Sequence, residues 1–129
     1  MDLLALAKNV ADRIEGEASR ADVPITVCVI DRHGNIVLKH CMNGAPLFAI
    51  ELSERKAYTA AVVGVRTIDL LPLVQPGQPL FALMAQGDYC AMGGGAPLTC
   101  EGQLIAGVGV SGGTVDQDVS ILQAGLQDH

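Results

Sequence analysis

The chain has 129 residues, enough for one domain and too few for two of ordinary size. Half of its residues are hydrophobic and 17% are charged, its formal net charge is −6, and it holds two Tyr, two Phe and no Trp. Because nucleic-acid binding needs a basic surface and often aromatic platforms, this composition argues against a nucleic-acid partner.

The apolar surplus predicts a closely packed core of small residues and a homo-oligomer that hides part of the apolar surface. The amino terminus has no basic start, and no stretch approaches the roughly 20 apolar residues of a membrane span. The four cysteines, Cys28, Cys41, Cys90 and Cys100, form no C-x-x-C pair. We therefore expect a cytoplasmic protein with reduced thiols and no membrane partner.

The first half of the chain predicts a helix, a β-hairpin and a second helix. Apolar residues recur every three or four positions from Leu3 to Ala21, which indicates an amphipathic helix that ends near residues 22–24. Two strands follow, ITVCVI and IVLKHCM, joined by a turn in which Gly34 can adopt positive φ. Residues 45 to about 63 then form a long helix whose small residues, together with the following glycine, would allow close approach to a sheet: Ala57, Ala60, Ala61 and Gly64.

The second half predicts further strands and a closing helix. Three prolines within residues 66–80 exclude a continuous helix and indicate a short helical turn followed by an irregular crossing segment. Residues 82–101 contain one or two strands, and a turn at Glu101 and Gly102 leads into the strand QLIAGVGV. The last helix begins after Gly113, with Thr114 and Gln117 at the spacing of a capping box. This order predicts a single α+β domain over residues 1–129, an antiparallel sheet with helices packed on it.

Residues 109–113 match G-x-S-x-G, the nucleophile elbow of serine hydrolases. That chemistry needs a parallel sheet and then an acid and a histidine after the serine in chain order. The only histidine after Ser111 is His129, the last residue, and a catalytic histidine is not expected at the end of a chain. We therefore predict that Ser111 is not a nucleophile.

A tight strand-to-helix turn is the favoured interpretation of the same segment. Asp116 and Asp118 then lie in the first turn of the helix, where the helix dipole favours negative charge. The alternative is a ligand site in which the Ser111 hydroxyl and the amides of Gly112 and Gly113 bind a carboxylate or phosphate, although the two aspartates would oppose such an anion.

Four blocks, CVIDRHGNIVLKHCMNGA, ERKAYTAAV, GGGAPL and GVGVSGGTVDQDVSI, resemble in order those of the GlcG/HbpS-like family, which includes the carboxy-terminal domain of the diol-utilisation protein PduO. The resemblance covers about residues 1–126. It implies a profilin-like antiparallel sheet flanked by helices and a homo-oligomer, either an octamer or another even assembly. It also implies a link to haem, or to glycolate, glycerol or diol utilisation.

Haem requires an axial iron ligand, which is most often His. His40 on the second strand is the best candidate for this role, although packing at a strand or subunit face is the simpler interpretation. His33 lies in the hairpin turn and is more simply a solvated residue. Tyr58, Met42 and Met92 are weaker options, because Met usually fills cores.

Glu51 and Glu54 lie one helical turn apart and share a face, and the resemblance includes members in which such an acidic pair is proposed to hold iron. Carboxylates suit hard cations, yet two ligands make a weak metal site. Arg55 follows Glu51 by four residues, so a salt-bridged, solvated face is favoured over a metal site.

Lys56 lies in the middle of the second helix among alanines, where a lysine either extends to solvent or is held for an anion. Together with the glycine run at residues 93–95 it could line one pocket, although packing is an equally good interpretation of these residues. The predicted ligand-binding residues are Lys56, Thr59, Gly95, Pro97, Ser111, Gly112 and Gly113.

These observations favour a cytoplasmic accessory protein that binds haem or another small anionic or tetrapyrrole ligand and is tied to glycerol or diol utilisation. An enzyme acting on a small hydroxy acid, an aldehyde or a corrinoid cofactor remains the alternative, with Lys56, Asp31 or His40 as its acid or base. A purely structural oligomer is the third interpretation.

Overall fold

The computed structural model describes residues 1–127, which form one α+β domain with a four-stranded antiparallel sheet. The helices are α1 (Leu3–Ala21), α2 (Phe48–Val63), α3 (Thr67–Leu70) and α4 (Val115–Gly125). The strands are β1 (Thr26–Asp31), β2 (Ile36–Cys41), β3 (Gly95–Cys100) and β4 (Gln103–Ser111). Their order in the sheet is β2-β1-β4-β3, so β2 and β3 form its two edges. The predicted fold class is confirmed.

The sheet is the middle of three layers, with α2 on one face and α1 and α4 on the other. Successive side chains of a strand point to opposite faces, and β1 uses both. Val27 and Val29 join the main core with residues of α1 and α4, whereas Cys28 and Ile30 pack against α2. A strand buried on both sides explains why its sequence is a continuous apolar run rather than an alternating one.

The first helix and the hairpin follow the sequence closely. The Asp2 carboxylate caps α1 by accepting the Ala5 amide at 3.0 Å. In the hairpin turn the Asp31 carboxylate accepts the amides of His33 and Asn35, both at 2.9 Å, while Gly34 has φ +90°. The predicted pairing of the two strands, β1 with β2, is confirmed.

Helix α2 starts later than predicted, whereas residues 82–101 hold one of the predicted one or two strands. Helix α2 begins at Phe48 rather than at residue 45. Pro46 explains why Ala45 lies outside the helix, because a proline disfavours the helical region for the residue before it. Residues 82–101 contain one strand, β3, preceded by a 3₁₀ turn at Phe81–Ala85.

Helix α2 lies unusually close to β4 because Gly107 and Gly109 face it. A Cβ atom at Gly109 would overlap the carbonyl oxygen of Ser53, and one at Gly107 would overlap that of Ala57. On the helix side the contact is made by small residues, and Ala57, Ala60 and Ala61 are all buried. The prediction that small residues let this helix approach a sheet is confirmed.

Among the described residues, no single helix combines the length and apolar character that a membrane crossing requires. Helix α2 and residues 67–74 meet those criteria only as a pair, and the pair is bent by 75° at its junction.

Candidate functional site

The strand-to-helix corner after Ser111 is occupied by a carboxylate of the same chain. Thr114 caps α4 in the predicted capping box, its Oγ1 accepting the Gln117 amide at 3.1 Å while Gln117 Oε1 accepts the Thr114 amide at 2.8 Å. The Gly113 amide donates to Asp118 Oδ1 at 2.9 Å. The helix start therefore does bind an anion, but that anion comes from its own first turn.

Lys56 meets the same carboxylate from the other side. Its side chain is completely buried, and Nζ donates to Asp118 Oδ2 at 3.1 Å and to the Val110 carbonyl oxygen at 2.9 Å. Burial raises the pKa of the Asp118 carboxyl, and Lys56 and the Gly113 amide act in the opposite direction. The anion that the sequence predicted for Lys56 is thus an internal one.

The glycine run at residues 93–95 is required by packing. A Cβ atom on Gly93 would lie 2.6 Å from Val119 Cγ2, and one on Gly95 would lie 2.7 Å from the Lys56 carbonyl oxygen. Gly94 has φ +121°, and a Cβ there would lie 2.8 Å from Lys56 Nζ. At each of these three glycines, the space that a side chain would occupy is already filled by other protein atoms.

Thr59 and Ser111 are also buried in packing. Thr59 Oγ1 donates to the Arg55 carbonyl at 2.8 Å and accepts the Cys90 amide at 2.8 Å, which ties the segment before β3 to α2. Ser111 lies opposite Thr26 across the β1–β4 pair, and within residues 1–127 neither hydroxyl oxygen has a hydrogen-bond partner. Gly112 is constrained as well, since a Cβ there would lie 2.5 Å from the Pro24 carbonyl oxygen.

Gly95 and Pro97 line a cavity of about 310 Å³, which we call the Gly95 cavity. It lies at the β3 edge of the sheet, between the start of β3, the helix α3 and one face of α4. Its other main lining side chains are Arg66, Ile68, Val119, Leu122, Gln123 and Leu126. The structure therefore brings two of the predicted ligand-binding residues to a cavity and places Lys56, Thr59 and Ser111 in the protein interior.

Glu51 and Glu54 lie in a second, polar pocket of about 240 Å³ together with Asp88 and Tyr58. Each glutamate has a cation as partner. Arg55 holds Glu51 through Nε at 2.9 Å and Nη2 at 2.7 Å, which confirms the predicted pair, and Lys39 Nζ holds Glu54 at 2.8 Å. Among the described residues no group of three or more His, Cys, Asp or Glu side chains is arranged to hold a metal ion.

His40 lies on β2, at the sheet edge opposite to the Gly95 cavity. Its ring Nδ1 is 2.8 Å from Glu15 Oε2 on α1, and the side chain is about half exposed, at 48%. His33 is exposed in the hairpin turn, as predicted. The partner Glu15 was missed by sequence reasoning, because 25 residues separate the two side chains and no local pattern connects them.

The sequence of this chain is similar to curated proteins over most of its length. It is 38% identical over 125 residues to an uncharacterized 15.0 kDa protein from the dhaT-dhaS intergenic region of Citrobacter freundii, covering 95% of this chain and 88% of that protein. It is 37% identical over 127 residues to the corrinoid adenosyltransferase PduO of Salmonella typhimurium. There the match covers 97% of this chain but only 37% of PduO.

The fold is also similar to solved structures. The crystal structure of a complex of PduOC with haem superposes with a TM-score of 0.88 at 34% identity, covering 94% of this chain and 89% of that one. The sequence profile of the family described as haem degrading protein HbpS-like matches residues 3–127. This chain belongs to the HbpS-like family.

Proposed function

We propose that this protein binds haem and that His40 supplies an axial ligand to the iron. The observation that carries the proposal is the contact between His40 Nδ1 and Glu15 Oε2 at 2.8 Å. Histidines that bind metals usually have their second ring nitrogen bound to a carboxylate or carbonyl, which fixes the ring and raises its basicity. With Nδ1 held in this way, Nε2 is the nitrogen that would face iron.

The haem complex of PduOC and the description of the family support the choice of ligand. The residues that line the Gly95 cavity argue against placing the iron there, and this favours a position at His40. Of the described residues that line it, none is His, Cys, Met, Tyr or Lys, so the cavity supplies no usual iron ligand. The haem itself would contribute the redox-active iron, and the residues of this chain would hold and orient the haem.

Titration with hemin tests the proposal. We expect a saturable shift of the Soret band for the wild type, an affinity at least tenfold lower for His40→Ala, and a smaller loss for Glu15→Gln, because Glu15 acts through the orientation of His40. His33→Ala is the matched control, since it removes an exposed histidine of the same hairpin. An unchanged Soret band and affinity in His40→Ala would overturn the assignment.

We further propose that the protein is a cytoplasmic accessory protein of glycerol or diol utilisation and acts as a homo-oligomer. The relative from the dhaT-dhaS region and the PduO domain support the metabolic link. Exposed apolar side chains support the assembly: Leu47 is 84% exposed and Phe48 is 59% exposed at the start of α2. Such side chains are typical of a surface that a second copy covers.

A second candidate function is the binding of a divalent cation at Glu51 and Glu54. The specific observation in its favour is that Asp88 lines the same pocket, a third carboxylate that could join the two glutamates only after they leave Arg55 and Lys39. Mn²⁺ titration monitored by water-proton relaxation tests it. We expect saturable binding that is lost in Glu51→Gln/Glu54→Gln and retained in the surface control Glu17→Gln, and equal binding by all three proteins would contradict the site.

A further inference from the structure

The walls of the Gly95 cavity are almost entirely apolar. Val119 and Leu122 lie on one face of α4, Leu126 directly follows that helix, and Ile68 of α3 lines the same cavity. Its volume of about 310 Å³ is at the lower end of the range of roughly 300–1,000 Å³ that is usual for small-molecule sites. A cavity of about 150 Å³ with similar walls is large enough to bind benzene in another protein.

The charged group at this cavity is already neutralised. Arg66 is the cation in its lining, and its Nε and Nη2 atoms donate to the two carboxylate oxygens of Asp69 at 2.9 and 3.1 Å. An anionic ligand bound here would be repelled by Asp69 as well as attracted by Arg66. Its negative charge would therefore add little to the binding free energy. Gln123 is the neutral polar side chain of the lining and can both donate and accept a hydrogen bond.

The main chain at the cavity is occupied too. The Gly95 amide donates to Thr67 Oγ1 at 2.8 Å, and the same hydroxyl lies 3.4 Å from the Gly95 carbonyl oxygen. Pro97, two residues further along this edge strand, has no amide hydrogen. The Gly95 amide is therefore already hydrogen-bonded, and Pro97 has no N–H group. Neither residue offers a free backbone donor to an anion.

We propose that the Gly95 cavity is a binding site for a small, neutral, aliphatic molecule with one hydroxyl or carbonyl group, separate from the haem site at His40. The apolar walls receive the aliphatic part, and Gln123 at the rim pairs with the polar atom. This inference goes beyond the proposed haem binding, because the two sites lie at opposite edges of the sheet and share no residue.

A matched pair of probes, cyclohexanol and cyclohexanecarboxylate, tests the class of ligand. The two have the same ring and differ in charge. Titrations followed by methyl NMR should give saturable shifts at Val119 and Leu122 with cyclohexanol, and binding at least tenfold weaker with the carboxylate. Equal or tighter binding of the carboxylate, or shifts that do not saturate or that avoid these methyl groups, would overturn the proposal.

Two variants that fill the cavity test its location. Leu126→Trp and Val119→Phe should each weaken cyclohexanol binding at least tenfold. One of the two variants is enough for the test if its thermal unfolding is cooperative, which shows that it is folded. Leu4→Trp, on the exposed side of α1, is the matched control and should bind as the wild type does. His40→Ala should also bind cyclohexanol normally, so a failure of the haem proposal and a failure of this one are distinguishable. Unchanged binding in a cooperatively folded filling variant would refute the site.

Discussion

The side chains of Lys56 and Asp118 form an ion pair that is buried from water, with 0% and 3% of their respective side-chain surfaces exposed. Each charge has further partners, the Val110 carbonyl for Lys56 and the Gly113 amide for Asp118. Such a pair contributes little compared with an apolar replacement, but removing one partner leaves a buried, uncompensated charge. The ion pair and its hydrogen bonds hold α2, the end of β4 and the start of α4 together at one point.

We therefore predict that Lys56→Met lowers the free energy of unfolding by about 3–5 kcal/mol and that Asp118→Asn causes a loss of similar size. The double variant should be more stable than the sum of the two losses predicts, because neither charge is then left without its partner. Urea unfolding of the four proteins measures this coupling. Lys39→Met, which breaks a partly exposed pair with Glu54, serves as the comparison and should cost less than about 1 kcal/mol. A loss below 1 kcal/mol in Lys56→Met would contradict the role of the pair.

The thiol of Cys28 is a second residue whose chemistry is determined by burial. It lies on the α2 face of β1, and burial raises its pKa to about 12, although Lys39 acts to lower it. None of the four cysteines forms a disulfide in the described part of the chain, and Cys41 is exposed. At neutral pH the Cys28 thiol is therefore protonated and shielded from solvent.

A thiol-specific reagent at pH 7–8 should label Cys41 rapidly and Cys28 only after unfolding, because the thiolate is the reactive form. Mass spectrometry of the labelled peptides gives the order. Cys41→Ser should remove the fast phase and leave Cys28 unlabelled in the folded protein. Rapid labelling of Cys28 in native conditions would be incompatible with this packing.

At the scale of elements, the contact between α2 and β4 depends on the absence of side chains. The strand GVGVS places glycines at the two positions that face the helix, and the helix presents alanines in return. Gly109 is also the first glycine of the G-x-S-x-G match, and here it provides room for the helix backbone. The spacing of two in a strand puts it on the same face as Gly107.

Gly109→Ala should lower the free energy of unfolding by about 1–3 kcal/mol, because the new methyl group overlaps the Ser53 carbonyl and must displace α2. Gly16→Ala is the matched control, for which we expect the free energy of unfolding to rise instead of fall. Gly16 lies inside α1 with only the end of the Arg20 side chain near its Cβ position, so alanine should stabilise the helix by about 0.5–1 kcal/mol. Thermal or urea unfolding of both variants decides this, and a stable Gly109→Ala would show that α2 is not docked as described.

The β1–β2 turn gives the hairpin a pH-dependent component. Although burial acts to raise the pKa of the Asp31 carboxyl, the amides of Asn35 and His33 and the Asn35 side chain lower it below its usual value of 3.8. A carboxyl with a lowered pKa in the folded state contributes stability that is fully present above its unfolded pKa and is lost as the pH falls through the folded pKa.

Asp31→Asn should therefore be less stable than the wild type at pH 7, by about 1 kcal/mol, because its hydrogen bonds are no longer charge-assisted. Below the unfolded pKa the difference should shrink, and it should vanish once Asp31 is protonated in both states. Urea unfolding between pH 2 and 7 measures this convergence. A difference that stays constant down to pH 2 would contradict the assignment.

At the scale of the whole molecule, the three layers leave apolar surface uncovered. Leu47 and Phe48 at the start of α2 and Phe81 in the crossing segment are exposed. The hydrophobic half of the sequence is larger than one small domain can bury, and other exposed apolar side chains lie on α1, β2, the crossing segment and α4. That distribution is the basis of the proposed homo-oligomer.

Light scattering coupled to size-exclusion chromatography should give the wild type a mass that is an even multiple of 13.4 kDa. Phe48→Glu should shift the mass towards the monomer, because burying an unpaired charge in an interface is unfavourable. Leu4→Glu, which places the same charge at another exposed apolar position, should leave the mass unchanged. A monomeric wild type would contradict the assembly, and an unchanged mass in Phe48→Glu would exclude this patch from it.

The amino-acid sequence by itself determined the elements whose causes are local. The amphipathic α1, the hairpin with Gly34, the prolines that interrupt residues 66–80 and the capping box at Thr114 all depend on contacts within a few residues, and all were predicted correctly. The family resemblance further predicted the profilin-like sheet, which the superposition supports. The start of α2 was misplaced by three residues, in part because the effect of Pro46 on Ala45 was not included.

Only the tertiary structure decided which predicted site residues meet. Lys56 and Asp118 are 62 residues apart, and His40 and Glu15 are 25 apart, so neither contact leaves a periodic trace in the sequence. Residue type alone left two roles open for Lys56, extension to solvent or contact with an anion, and it allowed an anion at the Ser111 corner as the alternative to a tight turn. Chain topology determined that one internal carboxylate contacts both Lys56 and that corner, and that the Gly95 cavity lies beside Gly95 and Pro97.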